Sequence, residues 1–389
     1  MQDVPSRPLG NRVDSVAPNA PELASFGPFP VGVTTLHLRN PDQIDVLGAQ
    51  GGPLCRHVRP LTVELWYPAA AGPVGCAYPT LLRDGKTPII LHGRACRDAM
   101  ATGRPPLVIL SHGYPGNRYL MAHLGETLAS RGYAVASIDH TDSTYADKGA
   151  FLSTLLNRPL DLRFVIDSLT ASHSAQIDTD RVAVVGYSMG AYGALLFGGA
   201  GLCDAALAFG GDHAEVLQRH LAGSPELAAL MDPRVKAISA IGLWGGQHGF
   251  WSAEALSAMT KPCLMIAGSA DTVSGYETGI RKVFAGLTGS TRHLLTFDGA
   301  GHNAAAPIPA PDESWTASAA LDFLPAEHYA DPVWDTVWMN AVAQHVIAAF
   351  VGLHLQGDTG LARYLTPDLT GIAKDKAKGL RLETLRSGE

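Results

Sequence analysis

A serine stands between two glycines in a pattern that can support nucleophilic chemistry. Residues 186–190 read Gly-Tyr-Ser-Met-Gly, and Ser188 follows the apolar run 181–185 and precedes the helical stretch 191–198. In this strand–turn–helix order, a G-x-S-x-G sequence places the serine Oγ on a tight, exposed turn. The flanking glycines relieve crowding because they have no Cβ. We therefore predict that Ser188 is a nucleophile. The alternative is a chance match among the 42 glycines of the chain.

A serine nucleophile needs a base to take its proton and an acid to orient that base. In the chain order Ser…Asp…His the histidine follows the last strand, which favours His302 in the loop after the apolar run 294–297. The predicted acid is Asp271, which follows the apolar run 263–267. A turn or N-cap role is the alternative for Asp271. Asp298 is disfavoured because it lies too close to His302 in the same loop.

Two backbone amides are predicted to hold the negative charge of an acyl-transfer intermediate. Residues 110–114 read Leu-Ser-His-Gly-Tyr after an apolar run, where a loop supplies one donor of an oxyanion hole. The residue after the nucleophile supplies the other donor, so the predicted pair is the amides of Tyr114 and Met189. Donors of this kind stabilise the charge that develops in the transition state. A simple turn at the strand end is the alternative for residues 112–113.

Aromatic residues after a later strand are the predicted substrate-binding set. They follow the apolar run 235–243 and comprise Trp244, His248, Phe250 and Trp251. The equally weighted alternative is that these four residues are ordinary residues of the protein core. Asp139 and His140 follow another apolar run and are predicted to be structural. No histidine shows metal-ligand spacing and no phosphate-binding glycine loop occurs, so we predict neither a metal nor a cofactor.

The elements that must position these residues indicate an α/β fold. Short continuous apolar runs alternate with helical stretches, which is typical of a mostly parallel sheet covered by helices on both faces. Two alternating segments near the N-terminus predict antiparallel strands, separated by the turn-rich residues 40–59. The predicted strands are 31–38, 61–67, 107–110, 133–138, 181–185, 235–243, 263–267 and 294–297. The predicted helices are 119–130, 160–172, 191–198 and 334–355.

The remaining segments define the predicted domain organisation. Residues 1–28 are rich in Pro and Gly and are predicted to form an irregular arm. Residues 29–370 are predicted to form one domain, in which residues 202–234 interrupt the strand–helix rhythm as a cap-like insertion. The last segment, 371–389, mixes Lys, Asp, Arg and Glu and is predicted to be a solvated tail. Residues 68–106 are predicted to be a loop region.

Composition narrows the function classes. The chain has 389 residues, of which 46% are hydrophobic and 17% charged, and a net charge of −7, which disfavours nucleic acid as a partner. Five scattered cysteines predict free thiols. Residues 1–19 lack the apolar core of a signal peptide, which predicts a cytoplasmic location. The apolar stretch 341–355 is too short to span a membrane. The oligomeric state is open.

Three motifs resemble a known branch of the α/β-hydrolases. They are LSHGYPGNR at residues 110–118, LASRGYAVASIDH at 128–140 and GYSMG at 186–190, with LWYPA at 65–69 as further support. Together they resemble the bacterial relatives of platelet-activating-factor acetylhydrolase, often labelled dienelactone-hydrolase-like. Polyester-cleaving cutinase-like enzymes are similar in the same motifs.

The resemblance covers roughly residues 30–365. It implies an α/β-hydrolase fold, ester hydrolysis without a metal, and the assignment of Ser188, Asp271 and His302 as a catalytic triad. Two departures bear on the substrate. Dienelactone hydrolases carry a cysteine where this chain has Ser188, and the acetylhydrolases carry a histidine where it has Tyr187.

These patterns predict a serine hydrolase that cleaves small-molecule carboxylic esters through an acyl-enzyme intermediate. An amidase or a C–C bond hydrolase would use the same triad, so the sequence leaves these alternatives open. A catalytically silent binding protein with this fold is the alternative from another class. The natural substrate and its acyl or alcohol preference are not determined by the sequence.

Overall fold

The centre of the molecule is a large twisted sheet. The computed structural model describes residues 10–49, 52–72 and 75–389. Within that part of the chain ten strands form one sheet in the order β12-β11-β10-β9-β8-β6-β7-β2-β1-β5, and two more form a hairpin. The strands are β1 Val31–Asp45, β2 Cys55–Pro68, β3 Cys76–Leu81, β4 Pro88–Gly93, β5 Cys96–Arg97, β6 Pro106–Ser111, β7 Ala134–Asp139, β8 Asp178–Tyr187, β9 Val235–Ile241, β10 Cys263–Gly268, β11 Arg292–Phe297 and β12 Leu380–Leu385.

Six neighbouring strands, β6 to β11, run parallel and carry the predicted apolar runs. Nearly every residue in these strands is buried, because helices cover both faces of the sheet. The helices are α1 Val46–Ala49, α2 Ala122–Ser130, α3 Phe151–His173, α4 Met189–Gly198, α5 Pro225–Leu230, α6 Ala253–Ser257, α7 Lys282–Gly286 and α8 Thr336–Val351. Residues of α2 and α8 pack on one face, and residues of α3 and α4 on the other. The predicted mostly parallel sheet is confirmed.

The N-terminal strands are antiparallel, as predicted, but longer than predicted. The predicted turn-rich segment 40–59 is wrong in part, because both strands continue into it past an irregularity between Asn40 and Gln43. Such an irregularity bends a strand without ending the ladder, and polar residues then occupy strand positions. The predicted loop region 68–106 is also wrong in part, since it contains the β3–β4 hairpin.

The predicted solvated tail 371–389 is wrong in part, because residues Leu380–Leu385 form strand β12. Strand β12 pairs antiparallel with β11 and closes one edge of the sheet. Leu380 and Leu382 face inward and are buried, while Glu383 forms an ion pair with Arg281. The alternation of apolar and charged residues is the period-two pattern of a strand with one covered face. The mixed charges hid that pattern in the sequence.

Two long segments without strands, which we call excursions, interrupt the alternation of strands and helices. The predicted insertion 202–234 consists of short 3-10 turns and helix α5, and its Leu217 and His220 are buried against the body of the protein. A second excursion, residues 303–335, lies between the loop of His302 and helix α8 and contains only short 3-10 turns. The cap function of residues 202–234 stays a prediction.

The two ends of the described chain also pack against the body. Residues 10–28 of the predicted irregular arm contain one 3-10 turn, Glu22–Ala24, and the Leu23 amide donates to His345 of α8 at 3.1 Å. Residues 1–9 of that arm lie outside the described residues. Among the described residues one helical stretch, Thr336–Gln356, is long and apolar enough to cross a membrane, and 83% of its most apolar window is buried inside the protein.

Candidate active site

Ser188 lies on a sharp turn between β8 and α4. Its backbone has φ 53° and ψ −111°, a left-handed conformation that is strained for a residue with a side chain. The Ser188 amide donates to the carbonyl of Ile241 at 2.8 Å, which ties the turn to the end of the neighbouring strand. The helix begins at Met189, so its free N–H groups and positive dipole end lie beside the serine.

The glycines on both sides of this turn are required by close backbone contacts. A Cβ at Gly186 would lie 2.2 Å from the carbonyl oxygen of Gly190. A Cβ at Gly190 would lie 1.9 Å from the carbonyl oxygen of Ser111 at the end of β6. The turn therefore depends on residues without side chains, which explains the sequence motif.

A hydrogen-bonded chain joins Ser188 to two residues distant in sequence. The Oγ of Ser188 lies 3.0 Å from Nε2 of His302, and Nδ1 of His302 lies 2.8 Å from Oδ2 of Asp271. With the proton on Nδ1, the imidazole donates to the carboxylate and its Nε2 is free to accept the serine proton. The geometry is that of a nucleophile, a base and an orienting acid.

The carboxylate of Asp271 is fixed by the turn that follows β10. Its Oδ1 accepts the backbone amides of Val273 and Ser274, both at 2.9 Å. The hydroxyl of Ser274 donates to the carbonyl of Gly242 at 2.9 Å, which connects this turn to the end of β9. With Oδ1 occupied, Oδ2 is left to accept from His302.

Tyr114 and Met189, whose amides are the predicted oxyanion donors, lie beside Ser188. Both residues line a cavity of about 150 Å³ together with Ser188 and His302. Within the described chain neither amide has a hydrogen-bond acceptor in the protein. A Cβ at Gly113 would lie 3.0 Å from the Tyr187 ring, so glycine lets this loop approach the serine closely. We call this cavity the serine chamber.

Of the four aromatic residues predicted to bind substrate, the structure brings one to the serine chamber. Trp244 lines it beside Phe151, whose ring centroid is 5.4 Å away. The prediction needs correction for the other three, since none of them lines the chamber. His248 is exposed and contacts Trp244 from the outside, while Phe250 and Trp251 are buried against Tyr192 of α4.

The physical reason is the course of the chain after β9. Gly242, Gly245 and Gly249 all have positive φ, which turns the segment back into the body of the protein after Trp244. Phe250 is 0% exposed and lies in the core face that contains α3 and α4. Aromatic composition alone does not reveal such a reversal.

The structure contains a second serine–histidine–aspartate chain, which lies entirely in the interior. The Oγ of Ser111 lies 2.9 Å from Nε2 of His140, and Nδ1 of His140 lies 2.9 Å from Oδ2 of Asp161. All three residues are 0% exposed, so no substrate reaches Ser111. Burial lowers the pKa of His140 to about 4 and keeps it neutral at pH 7.

Several residues that contact the site were missed by sequence reasoning. The Tyr187 ring lies 5.3 Å from the His302 ring, and its hydroxyl donates to Asn303 at 3.1 Å. The amide of Asn303 donates to the carbonyls of residues 327 and 330, which holds the excursion 303–335 against the histidine loop. His328 of that excursion lines the serine chamber. Burial lowers the pKa of His328 well below its ordinary value, so it is neutral.

Asp139, predicted to be structural, lies apart from the chain of Ser188, His302 and Asp271. It accepts the backbone amide of Arg118 at 2.6 Å and forms an ion pair with the Arg118 guanidinium. The contacts of Asp139 with Arg118 are therefore consistent with its predicted structural role.

A second cavity of about 460 Å³ lies beside His302 and is lined by residues of the excursion 303–335, including the exposed Trp315.

Comparison with known proteins gives one family match and several curated relatives. Residues 93–201, which include Tyr114 and Ser188, match a family described as PET hydrolase-like. The chain is 27% identical over 196 residues to Cutinase 2 of Thermobifida cellulosilytica, a match that covers 50% of this chain and 59% of the relative. It is 36% identical over 88 residues to Cutinase est1 of Thermobifida alba, covering 23% of this chain and 28% of the relative.

The solved structures give a match over nearly the whole length. A ferulic acid esterase from Streptomyces cinnamoneus aligns with 97% of this chain and 100% of its own, with a TM-score of 0.63 and 23% sequence identity. The chain spans only about half the length of the Thermobifida cutinases that it matches over 196 residues. The strand order and the full-length structural match together establish that the chain has the α/β-hydrolase fold.

Proposed function

We propose that this protein is a serine esterase that hydrolyses carboxylic esters through an acyl-enzyme intermediate. The observation that carries the proposal is the hydrogen-bonded chain from Ser188 through His302 to Asp271, beside two unpartnered backbone amides. The similarity to cutinases and to a ferulic acid esterase supports ester hydrolysis as the reaction class.

In the proposed reaction the Oγ of Ser188 attacks the ester carbonyl carbon while His302 takes the proton of that hydroxyl. The carbonyl oxygen becomes negatively charged and accepts hydrogen bonds from the amides of Tyr114 and Met189. His302 then gives its proton to the leaving alcohol, and the acyl group stays on Ser188. A water molecule, deprotonated by His302, then attacks the acyl carbon. The carboxylic acid is released, and His302 returns the proton to the Oγ of Ser188.

The size of the serine chamber supports a short acyl group. Its volume is about 150 Å³, and its lining includes the rings of Phe151, Trp244 and His328. Pockets for drug-sized ligands are typically about 300–1,000 Å³, so this space suits a group of few atoms. We also propose, from the three sequence motifs, that the protein belongs to the branch of platelet-activating-factor acetylhydrolase relatives.

The test is replacement of Ser188. Ser188→Ala should reduce hydrolysis of p-nitrophenyl acetate by at least ~10³-fold, since removing a triad member leaves only binding and oxyanion stabilisation. A fluorophosphonate probe should label Ser188 in the natural protein and should not label the variant. The matched control is Ser257→Ala, which changes an exposed serine on α6 and should still be labelled.

A panel of substrates separates the alternatives. Turnover of p-nitrophenyl esters without turnover of the matching anilides supports an esterase, whereas comparable rates on anilides would indicate an amidase. Failure of the natural protein to react with the fluorophosphonate would contradict the proposal and favour a catalytically silent binding protein.

A further inference from the structure

A buried arginine lies behind the loop that carries the Tyr114 amide. Arg158 of α3 is 1% exposed, and its guanidinium donates to four oxygens. Three of them lie at the end of β6 and in the turn after it, and the fourth lies in the loop after β7. The acceptors are the carbonyls of His112 and Gly113, the latter at 3.0 Å, and the hydroxyls of Ser111 at 3.2 Å and Ser143 at 2.6 Å. A single side chain therefore holds the two consecutive carbonyl groups of His112 and Gly113, in the loop that carries the Tyr114 amide.

The geometry of the peptide unit connects these contacts to the site. The carbonyl oxygen of Gly113 accepts from Arg158 and from Nδ1 of His112 at 2.6 Å, so it points into the protein. In a planar trans peptide the C=O and the following N–H point in opposite directions. The N–H of Tyr114 therefore points away from Arg158 and towards the serine chamber, which Tyr114 lines.

The surroundings of Arg158 keep its guanidinium in one position. A Cβ at Gly193 would lie 2.8 Å from the Cβ of Arg158, so a glycine on α4 makes room for it. The Oγ of Ser111 is held in turn by His140 and Asp161, and Asp161 also pairs with Arg59 at 2.9 Å. The interior serine–histidine–aspartate chain thus supports the same end of β6.

A charged group at this place is costly in stability. Burial disfavours the cation and lowers the pKa of Arg158 to about 9, which still leaves it protonated at neutral pH. Apolar residues of similar volume commonly replace buried ionic groups with no loss of stability. A hydrogen bond from a cation to a peptide carbonyl also polarises that peptide, which makes its N–H a stronger donor.

We propose that Arg158 is a positioning residue of the oxyanion hole, which fixes the Gly113 carbonyl inward and so aims the Tyr114 amide at the substrate oxygen. The inference rests on the proposed function, because it assigns a purpose to the Tyr114 amide. Arg158 itself touches no substrate: its effect passes through the peptide between Gly113 and Tyr114.

The experiment compares Arg158→Met and Arg158→Lys with the control Arg163→Met. Arg163 lies on the same helix, is partly exposed and pairs with Asp167 at 2.9 Å, so the control removes one arginine from α3 away from the loop. For each folded variant, kcat and KM are measured on p-nitrophenyl acetate. Affinity for a trifluoromethyl ketone, whose adduct carries an oxyanion, and the rate of fluorophosphonate labelling at Ser188 are measured as well.

We expect Arg158→Met to lower kcat by ~10–100-fold with KM nearly unchanged. This loss is smaller than the ~10²–10³-fold typical for removal of an oxyanion donor, because the Tyr114 amide is still present but less well aimed. Affinity for the trifluoromethyl ketone should fall by a similar factor, and Arg163→Met should match the natural protein. Should the Met variant fail to fold, the Lys variant gives the answer: it keeps the charge, cannot hold both carbonyls as a fork, and should still lose kcat.

A folded Arg158 variant with unchanged kcat and unchanged ketone affinity would overturn the inference. So would a loss of activity that disappears when rates are divided by the concentration of labelled Ser188, since this would be a loss of folded protein only. If the natural protein itself is not labelled, the proposed function fails, and that result is distinct from either outcome for Arg158.

Discussion

Oδ2 of Asp271 lies 2.8 Å from Nδ1 of His302, although 31 residues separate them in the chain. The two residues follow β10 and β11, which are parallel neighbours, so their loops emerge at the same edge of the sheet. This contact fixes the proton on Nδ1 and leaves Nε2 to face Ser188. Each of the following predictions tests one part of this arrangement or of the protein that supports it.

Asp271→Asn should lower kcat for p-nitrophenyl esters by roughly 10⁴-fold at neutral pH, because an amide favours the wrong histidine tautomer and does not stabilise the imidazolium. The measurement is steady-state kinetics on p-nitrophenyl acetate, with circular dichroism to verify the fold. The matched control is Asp298→Asn, which changes an exposed carboxylate on the histidine loop that pairs with Arg381 instead. Activity of Asp271→Asn within tenfold of the natural protein would refute the assignment of the acid.

Trp244→Ala should shift acyl preference towards longer chains. The indole lines the serine chamber, whose volume is about 150 Å³, and its removal opens the wall next to Phe151. We expect the ratio of kcat/KM for octanoate over acetate esters to rise by ~10-fold, since each buried methylene contributes about 0.8 kcal/mol. A series of p-nitrophenyl esters from C2 to C8 measures this ratio.

The control for Trp244 is Trp315→Ala. Trp315 is 60% exposed and lines the neighbouring cavity of about 460 Å³. Its replacement should leave the acyl preference unchanged. If Trp315→Ala altered the preference and Trp244→Ala did not, the acyl chain would bind in the neighbouring cavity, and the assignment of the serine chamber to the acyl group would be wrong.

His123→Leu should make the protein less sensitive to acid. His123 in α2 is 4% exposed, its Nδ1 has no partner in the described chain, and burial lowers its pKa to about 3. The unfolded chain takes up this proton below about pH 6.5 while the folded chain does not, so the free energy of unfolding falls as pH decreases from about 6.5 towards 4. One such histidine contributes about 1.4 kcal/mol per pH unit in that window.

Urea unfolding at pH 7, 6 and 5 tests this prediction. Between pH 6 and 5 the free energy of unfolding should fall less in the variant than in the natural protein. The difference should be about 1.4 kcal/mol, the contribution of one histidine over one pH unit. The control is His37→Leu, which changes an exposed histidine on β1. An identical pH slope for His123→Leu and the natural protein would show that His123 is not kept neutral by burial.

Much of this architecture was predictable because it depends on local pattern. The continuous apolar runs of β6 to β11 identify buried parallel strands, and the glycines around Ser188 identify a turn with no room for side chains. Strand β12 escaped prediction because its charged positions resemble a solvated tail, although Leu380 and Leu382 occupy the covered face. Whether an alternating segment of six residues forms a strand depends on whether a sheet edge is available to pair with it.

The sequence by itself determined the order of the chemical groups: a serine on a strand-to-helix turn, then an aspartate and a histidine at the ends of later strands. Tertiary structure alone decided which of two serine–histidine–aspartate chains is reachable, because burial of Ser111 and access to Ser188 depend on packing between distant segments. It also turned Phe250 and Trp251 inward and brought Arg158 behind the Gly113 carbonyl. The identity of a side chain determines which chemistry it can perform, whereas the path of the backbone determines which residues and how much solvent it contacts.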